Sequence, residues 1–409
     1  MALATIFFWM GRREFAHIPP GGKAFIRESF GKEGLSVVGK LIPLVLFVGI
    51  FWCLFDQTAS RLVFQAERMD RNLFSFEVLP SQIQAANPFL ILVLIPVFTF
   101  LVYPFVEKRI PFTPLRKIGT GLAIMALAFV VVSYSQEAID RGETPHVGWQ
   151  LLAYLILTSA EVLVSIVALE FFYTQAPRKM KSLMMAIFLA SVSVGNSFTA
   201  LVNDWIQVGT PDETLARHQV VHDSKSYEKH LPGYDKVFGT EDDLYFDENR
   251  IDSSVSGLLS EVCLRIEHSF LKEGKLPSQL PNLPSDQWGT PLRYKLLSSK
   301  EARVSSNGPD KMEKTEWDLS VIIQIRPPED EVEGTWLYEA KKAKGLIMDQ
   351  PASEKTNKAL ELTYTAGGGE TLEGANYFWF FTKLMIGTAL VYIPFAILYK
   401  PRDYLHRED

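Results

Sequence analysis

Apolar side chains in this chain are gathered into six blocks, residues 41–55, 88–106, 118–132, 149–172, 183–206 and 377–399. With its flanks, each block supplies the roughly 20 residues that a helix needs to cross about 30 Å of hydrocarbon. Only helices and closed barrels satisfy their backbone groups in lipid, so six such blocks predict a multi-pass helical membrane protein. A seventh apolar run, residues 2–10, is too short to span. It has no basic segment before it and no small-residue cleavage site after it, so it reads as the tail of a preceding helix rather than a signal peptide.

Between the fifth and sixth blocks the pattern turns from apolar to charged. Residues 209–373 hold 30 acidic and 20 basic side chains, a net charge of -10, whereas the rest of the chain carries +4. A stretch of 165 residues is far longer than an ordinary connection and predicts a second, water-facing α+β unit inserted between the last two spans. Its first forty residues, including "GTEDDLYFDENR" (239–250), read as a solvated loop. Val255, Leu258, Leu259, Val262, Ile266 and Phe270 then recur at helical spacing, closed by Gly274 and Pro277. "WDLSVIIQIR" (317–326) alternates as a strand does. The expected units are 1–35 (the end of a preceding span and a linker), 36–208 (five spans), 209–373 (the insert) and 374–409 (the last span and a tail).

Charge sets the orientation. Arg12, Arg13, Lys23, Arg27 and Lys32 precede the first span, and Lys108, Arg109, Arg116 and Lys117 join the second to the third. Arg178, Lys179 and Lys181 join the fourth to the fifth, and Lys400 and Arg402 follow the last. These segments alternate, so all should face the cytoplasm, leaving the insert outside. Arg61, Arg68 and Arg71, in the first expected outer loop, run against the rule. The acidic insert argues against a nucleic-acid partner. Cys53 and Cys263 are expected in different units, which leaves no intramolecular disulfide and no cysteine metal site. No phosphate loop, zinc spacing or nucleophile motif points to an enzyme.

One acid stands inside an apolar block. Glu161 in the fourth span would cost at least ~3 kcal/mol at mid-bilayer if ionised against lipid, so it must face protein or water. It either marks a pathway for ions or solutes, or is protonated or bonded to a neighbouring hydroxyl such as Ser159 or Ser165.

The membrane part resembles the proton-dependent oligopeptide transporter family of the major facilitator superfamily. The resemblance rests on "FWCLFDQTASRLVFQAERMD" (51–70), "NPFLILVLIPVFTFLVYP" (87–104), "EVLVSIVALEFFYTQAPRKMKS" (161–182) with "VGN" (194–196), and "GANYFWFF" (374–381). These look like the family's seventh, eighth, tenth, eleventh and twelfth spans, and "FFWMGRREFAHIPP" (7–20) resembles the exit of its sixth. The implied fold is the six-helix carboxyl-terminal half of a major facilitator fold, with the first five spans absent or made separately. The resemblance implies that Glu161 receives the amino end of a peptide and that Asn87 helps bind it. It also implies that Asp56, followed by Gln57, exchanges a proton or an ion-pair partner with the amino-terminal half. On the residues themselves Asn87 equally suits a helix cap before Pro88, and Asp56 an idle interfacial acid. Ala160, Ala168, Phe188 and Leu62 stand where the family has glycines, an indole and a tryptophan, so the pocket's shape should differ.

Part of the insert, about residues 251–325, resembles the globular end of the major pseudopilins of type II secretion. "LKEGKLPSQLPNLPSDQWGTPLRYKL" (271–296) carries the turn Asp286, Trp288, Gly289, Pro291 and Tyr294, and "SSNGPDKMEKTEWDLSV" (305–321) is similar to a loop that in the family can hold calcium. That implies Asp310, Glu313 and Asp318 as calcium ligands, fewer than the six to eight oxygens such an ion takes.

Together these readings predict a proton-coupled di- or tripeptide symporter half in the cytoplasmic (inner) membrane, with small peptides, protons, the bilayer and a separate amino-terminal half as partners. The proton is the coupling ion and no other cofactor is implied beyond calcium in the insert. The alternative is a non-transporting scaffold that presents the pseudopilin-like unit to other proteins.

Overall fold

A computed structural model describes residues 2–12, 22–73, 76–177, 180–211, 229–247, 250–325 and 359–401. Arg13, Arg178, Lys179, Arg402, most of the 7–20 segment after Arg12, and residues 212–228 of the expected solvated loop lie outside them.

Each apolar block forms a helix long and apolar enough to cross a membrane: Gly34–Glu67, Pro80–Glu107, Pro114–Asp140, Gly148–Thr174, Lys181–Ile206 and Ala375–Leu398. The third and sixth spans pack along each other, as do the first and fifth, and the third and fourth. Their shared core includes Leu41, Phe51, Met125, Phe129, Phe172 and Phe381. Close approach of the first and fifth spans needs glycine. A Cβ on Gly195 would stand 2.3 Å from the Gly49 carbonyl oxygen and 2.9 Å from the Cys53 nitrogen. Small residues at such crossings let backbones touch where lipid provides no hydrophobic drive.

The first span corrects one expectation. Where the outer loop holding Arg61 was expected, the chain makes a 3-10 turn, Asp56–Ala59, and continues as the helix Arg61–Glu67. The reason is burial: Leu62 and Ala66 join the bundle core, and Gln65 donates to the Val132 carbonyl (3.1 Å) and to Gln136 (3.0 Å). After it, β1 (Asn72–Leu73) and β2 (Phe76–Glu77) form a small hairpin.

Among the described residues between the fifth and sixth spans stand two antiparallel sheets. The first orders β3 (Lys229–Leu231), β4 (Leu244–Asp247) and β5 (Arg250–Asp252). It replaces part of the loop expected before residue 251. Leu231 and Leu244 pair and bury themselves, while Asp243 is also buried and accepts from His230 (2.7 Å) and the Gly239 amide (2.7 Å). The acids that suggest a loop in sequence therefore organise the β3–β4 turn. The second sheet runs in the order β6 (Arg293–Ser298), β7 (Glu301–Ser306), β8 (Leu319–Ile325) and β9 (Leu360–Ala366). The helix Ser256–Glu273 lies against it, burying Leu259, Val262 and Ile266 on Val304, Val321 and Ile323. That helix ends on Gly274 at φ 70°, whose amide bonds the Phe270 carbonyl at 2.7 Å, the left-handed stop that glycine favours.

These sheets are bound to the spans. Arg61 forms a two-pronged ion pair with Glu370 and lies 4.3 Å above the Tyr377 ring, Arg68 meets Glu301 at 2.9 Å, and Arg71 meets Glu77 at 2.6 Å. The three arginines that ran against the charge rule thus each have an acidic partner. The segment after β9 returns to the bundle by main-chain bonds, Val208 to Gly369 (3.0 Å) and Thr371 to Ile206 (2.7 Å). Asp140, ending the third span, accepts the Ala375 amide at 2.7 Å and so holds the start of the sixth.

Candidate functional site

The site is built on the fourth span. Glu161 closes its regular α-helical part, and the next turn, Val162–Ile166, widens to a π-helix. Such turns leave one backbone group out of the regular ladder and recur at functional positions. Here the wide turn faces Gly121 of the third span, where a Cβ would stand 2.5 Å from Val164 and 3.1 Å from the Ala160 carbonyl oxygen. The second span has its own π-turn, Phe98–Val102, after Pro96. Neither turn has a sequence signal beyond the nearby proline in the second span.

The structure brings Glu161, Asn87 and Asp56 together from three spans. Glu161 is half-buried, and the Asn87 side chain lies close enough to interact with its carboxyl group. Thr158 Oγ1 lies 2.6 Å from Asn87 Oδ1 and 2.7 Å from the Tyr154 carbonyl. With Oδ1 accepting from Thr158, the Asn87 amide nitrogen remains as a donor beside the carboxyl group. Asn87 is therefore no helix cap: it is the second residue of the helix Ala86–Val97, and its side chain reaches the fourth span. Ser159 does not satisfy Glu161 either, since its hydroxyl donates to Leu155 of its own helix (2.8 Å). Glu161 Oε2 is shut off from solvent and lacks a partner among the described residues.

Asp56 lies close enough to Glu161 for their charges to interact. It opens the 3-10 turn at the end of the first long helix and is half-buried rather than freely exposed. Gln57 turns into the bundle, donating to the Cys53 carbonyl at 3.2 Å and leaving its own Oε1 buried without a partner among the described residues. Tyr154 donates to the Thr58 carbonyl at 3.3 Å, linking this turn to the fourth span. Two neighbouring carboxyl groups in a poorly hydrated place attract a cation, whether a proton or an ammonium group. Sequence reasoning missed Thr158 and Tyr154, which position this group without carrying charge. Ala160, Ala168, Leu62 and Phe188 are all buried.

The suggested calcium ligands have different work. Asp318 accepts from Arg293 (2.7 Å) and from the amides of Lys314 (3.1 Å) and Thr315 (3.3 Å), while Glu313 also meets Arg293 (3.1 Å). Asp310 accepts from the Met312 amide at 3.0 Å. A cation is already supplied by Arg293, so this donor set does not fit a calcium site. Burial pushes the Asp318 carboxyl above its ordinary range, although those amides and Arg293 pull the other way. The neighbouring turn is organised by buried Asp286, which takes the Trp288 and Thr290 amides and the Thr290 and Ser306 hydroxyls. Tyr294 donates to the Pro277 carbonyl at 2.6 Å, and burial pushes its hydroxyl up to about 12.

Residues 31–220 match the family model described as POT family. Among curated relatives, Peptide transporter family 1 of Drosophila melanogaster is 42% identical over 111 residues, which are 27% of this chain and 14% of that protein. Human Solute carrier family 15 member 2 is 40% identical over 150 residues, 35% of this chain and 20% of that protein. These matches take in well under two thirds of either relative's length. The in meso crystal structure of the POT family transporter PepTSo aligns at 32% identity over 53% of this chain and 57% of that one, with a TM-score of 0.42. A chain with six helices fit to span and this match is an integral, multi-pass membrane protein, similar to the POT family from the start of its first span to the end of its fifth.

Proposed function

We propose that the six spans act as the carboxyl-terminal half of a proton-coupled symporter for di- and tripeptides. Glu161 receives the peptide's amino end, Asn87 holds that carboxylate, and Asp56, with Gln57 beside it, takes part in proton coupling. The Drosophila melanogaster relative, named Peptide transporter family 1, supports the substrate class. The observation that carries the assignment is the half-buried Glu161 carboxylate near Asn87 and Asp56, with its Oε2 buried and unpartnered among the described residues. A buried charged group left so pairs strongly with an arriving ammonium. The site would be completed by a facing set of spans, with access alternating as the halves rock. On this reading the protein resides in the inner membrane, the sheets lie on the extracytoplasmic side and the carboxyl terminus is cytoplasmic.

The test is proton-driven uptake of a labelled dipeptide into cells expressing the gene product that carries these spans. Glu161→Gln should abolish accumulation while leaving the amount of protein in the membrane unchanged. Undiminished accumulation would remove Glu161 from the site.

A further inference from the structure

A second intramembrane charge is left unused by that reading. Lys383 lies on the sixth span, eight residues from its start at Ala375 and so about 12 Å along the helix axis from the end that carries the sheets. Its side chain is exposed, and it has no ion-pair or hydrogen-bond partner among the described residues. A charge so placed in a membrane helix needs a partner or a path to the interface.

Lys383 lines a groove of about 490 Å³ between the first and sixth spans. Its other walls are apolar, chiefly Leu46, Phe47 and Ile50 on one side and Leu384 and Val391 on the other, apart from Thr388, whose hydroxyl donates to the Leu384 carbonyl of its own helix (2.8 Å). Phe47 is fixed as the floor by edge contact with Tyr392 (5.1 Å) and by Phe395 (5.3 Å). Gly387 keeps the groove open, since a Cβ there would meet nothing within 4 Å. Since the two helices run in opposite directions, Lys383 and Ile50 share one end of the groove, and Val391 and Pro43 the other. The order from the sheet-bearing end toward the membrane centre is therefore one cation, then a continuous apolar channel. Helical side chains lean toward the N-terminus, which here directs the lysine toward the interface.

We propose that this groove binds one anionic phospholipid from the leaflet on the sheet-bearing side, its phosphate on Lys383 and one acyl chain along Phe47, Ile50 and Leu384. The sequence of charge and apolar surface along the membrane normal is that of such a lipid, head outward and tail inward. The cation selects an anionic head over a zwitterionic one, and Leu46 and Val391, both more than half exposed, continue the channel into the surrounding lipid.

Native mass spectrometry of the full chain tests this, after exposure to phosphatidylglycerol or to phosphatidylcholine with the same acyl chains. One phosphatidylglycerol should survive on the wild type, fall about fivefold on Lys383→Gln, the effect of losing one basic side chain near an anionic surface, and return on Lys383→Arg. Gly387→Leu, whose Cβ would meet nothing within 4 Å and whose remaining atoms would extend into the groove, should also displace it. Phosphatidylcholine should be retained less and be unaffected by Lys383→Gln. Equal phosphatidylglycerol retention by the wild type and Lys383→Gln, or no preference for phosphatidylglycerol over phosphatidylcholine, overturns the assignment of the head group. Full retention by Gly387→Leu overturns that of the tail.

Discussion

Asn87 on the second span accepts a hydrogen bond from Thr158 on the fourth at 2.6 Å, which sets its amide near Glu161, three residues further along that span. A neutral donor is thereby placed next to the carboxylate, which leaves its charge unneutralised. Asn87→Ala should raise the dipeptide concentration for half-maximal uptake by about tenfold, the lower range for losing a hydrogen bond to a charged group. Thr158→Val should act more weakly, because it frees the amide to turn rather than removing it. An Asn87→Ala protein with unchanged half-saturation would exclude Asn87 from peptide binding.

The first and fifth spans touch at Gly195, where a Cβ would stand only 2.3 Å from the Gly49 carbonyl oxygen. Gly195→Val should lower the melting temperature of the purified protein, corresponding to about 1–3 kcal/mol of overpacking. Gly39, in the same first helix but with nothing within 4 Å of its Cβ position, supplies the contrast. Gly39→Ala should be neutral or stabilise by up to about 1 kcal/mol, since alanine is the better helix former. Similar losses in both variants would mean that the Gly49–Gly195 contact does not hold these spans.

The six spans were legible because hydrocarbon imposes a length and a composition that a continuous apolar block satisfies in plain view. Glu161 was legible for the converse reason, since an acid within such a block is costly unless it faces protein or water. The company it keeps was not. Asn87 and Asp56 lie on the second and first spans, and their approach to the fourth is set by how the spans pack, which local patterning does not encode. Around residues 229–252 reading by charge failed in another way. Asp242 and Asp243 belong to a tight turn whose amides they accept, so acidity marked a structured hairpin as solvent. The arginines at 61, 68 and 71 looked anomalous because two of their three acidic partners lie more than 200 residues away in sequence.

Arg61 and Glu370 tie the first span to the strap that follows β9, each with under a third of its side chain exposed. Partial burial and two-pronged geometry should make this pair worth more than an open surface pair. A double-mutant cycle of Arg61→Ala and Glu370→Ala, read by thermal unfolding, should give a coupling of about 1 kcal/mol. The single Arg61→Ala change should cost more than Glu370→Ala, because it also removes the cation from the Tyr377 ring. Zero coupling would show that the strap is held by its main-chain bonds alone.

Glu373, four residues before Tyr377, joins the spans to the second sheet through Lys295 (2.7 Å) and Arg303 (2.6 Å). Burial would raise its carboxyl, but the hydrogen bonds and charges of Arg303 and Lys295 outweigh that and hold it below the ordinary glutamate range. A carboxylate with a lower folded than unfolded pKa stabilises the fold fully above the unfolded value, near about 4.3, and loses that contribution as pH falls through the folded value. Wild type should therefore exceed Glu373→Gln in stability at pH 6 by about 1–3 kcal/mol, the scale of charge-assisted hydrogen bonds. The difference in melting temperature should shrink steadily from pH 5 downward. Asp318 shifts in the opposite direction but is present in both proteins, so its titration cancels in the comparison. A gap that stays constant from pH 6 to pH 3 would show that the carboxylate's charge does not fasten the sheet to the spans.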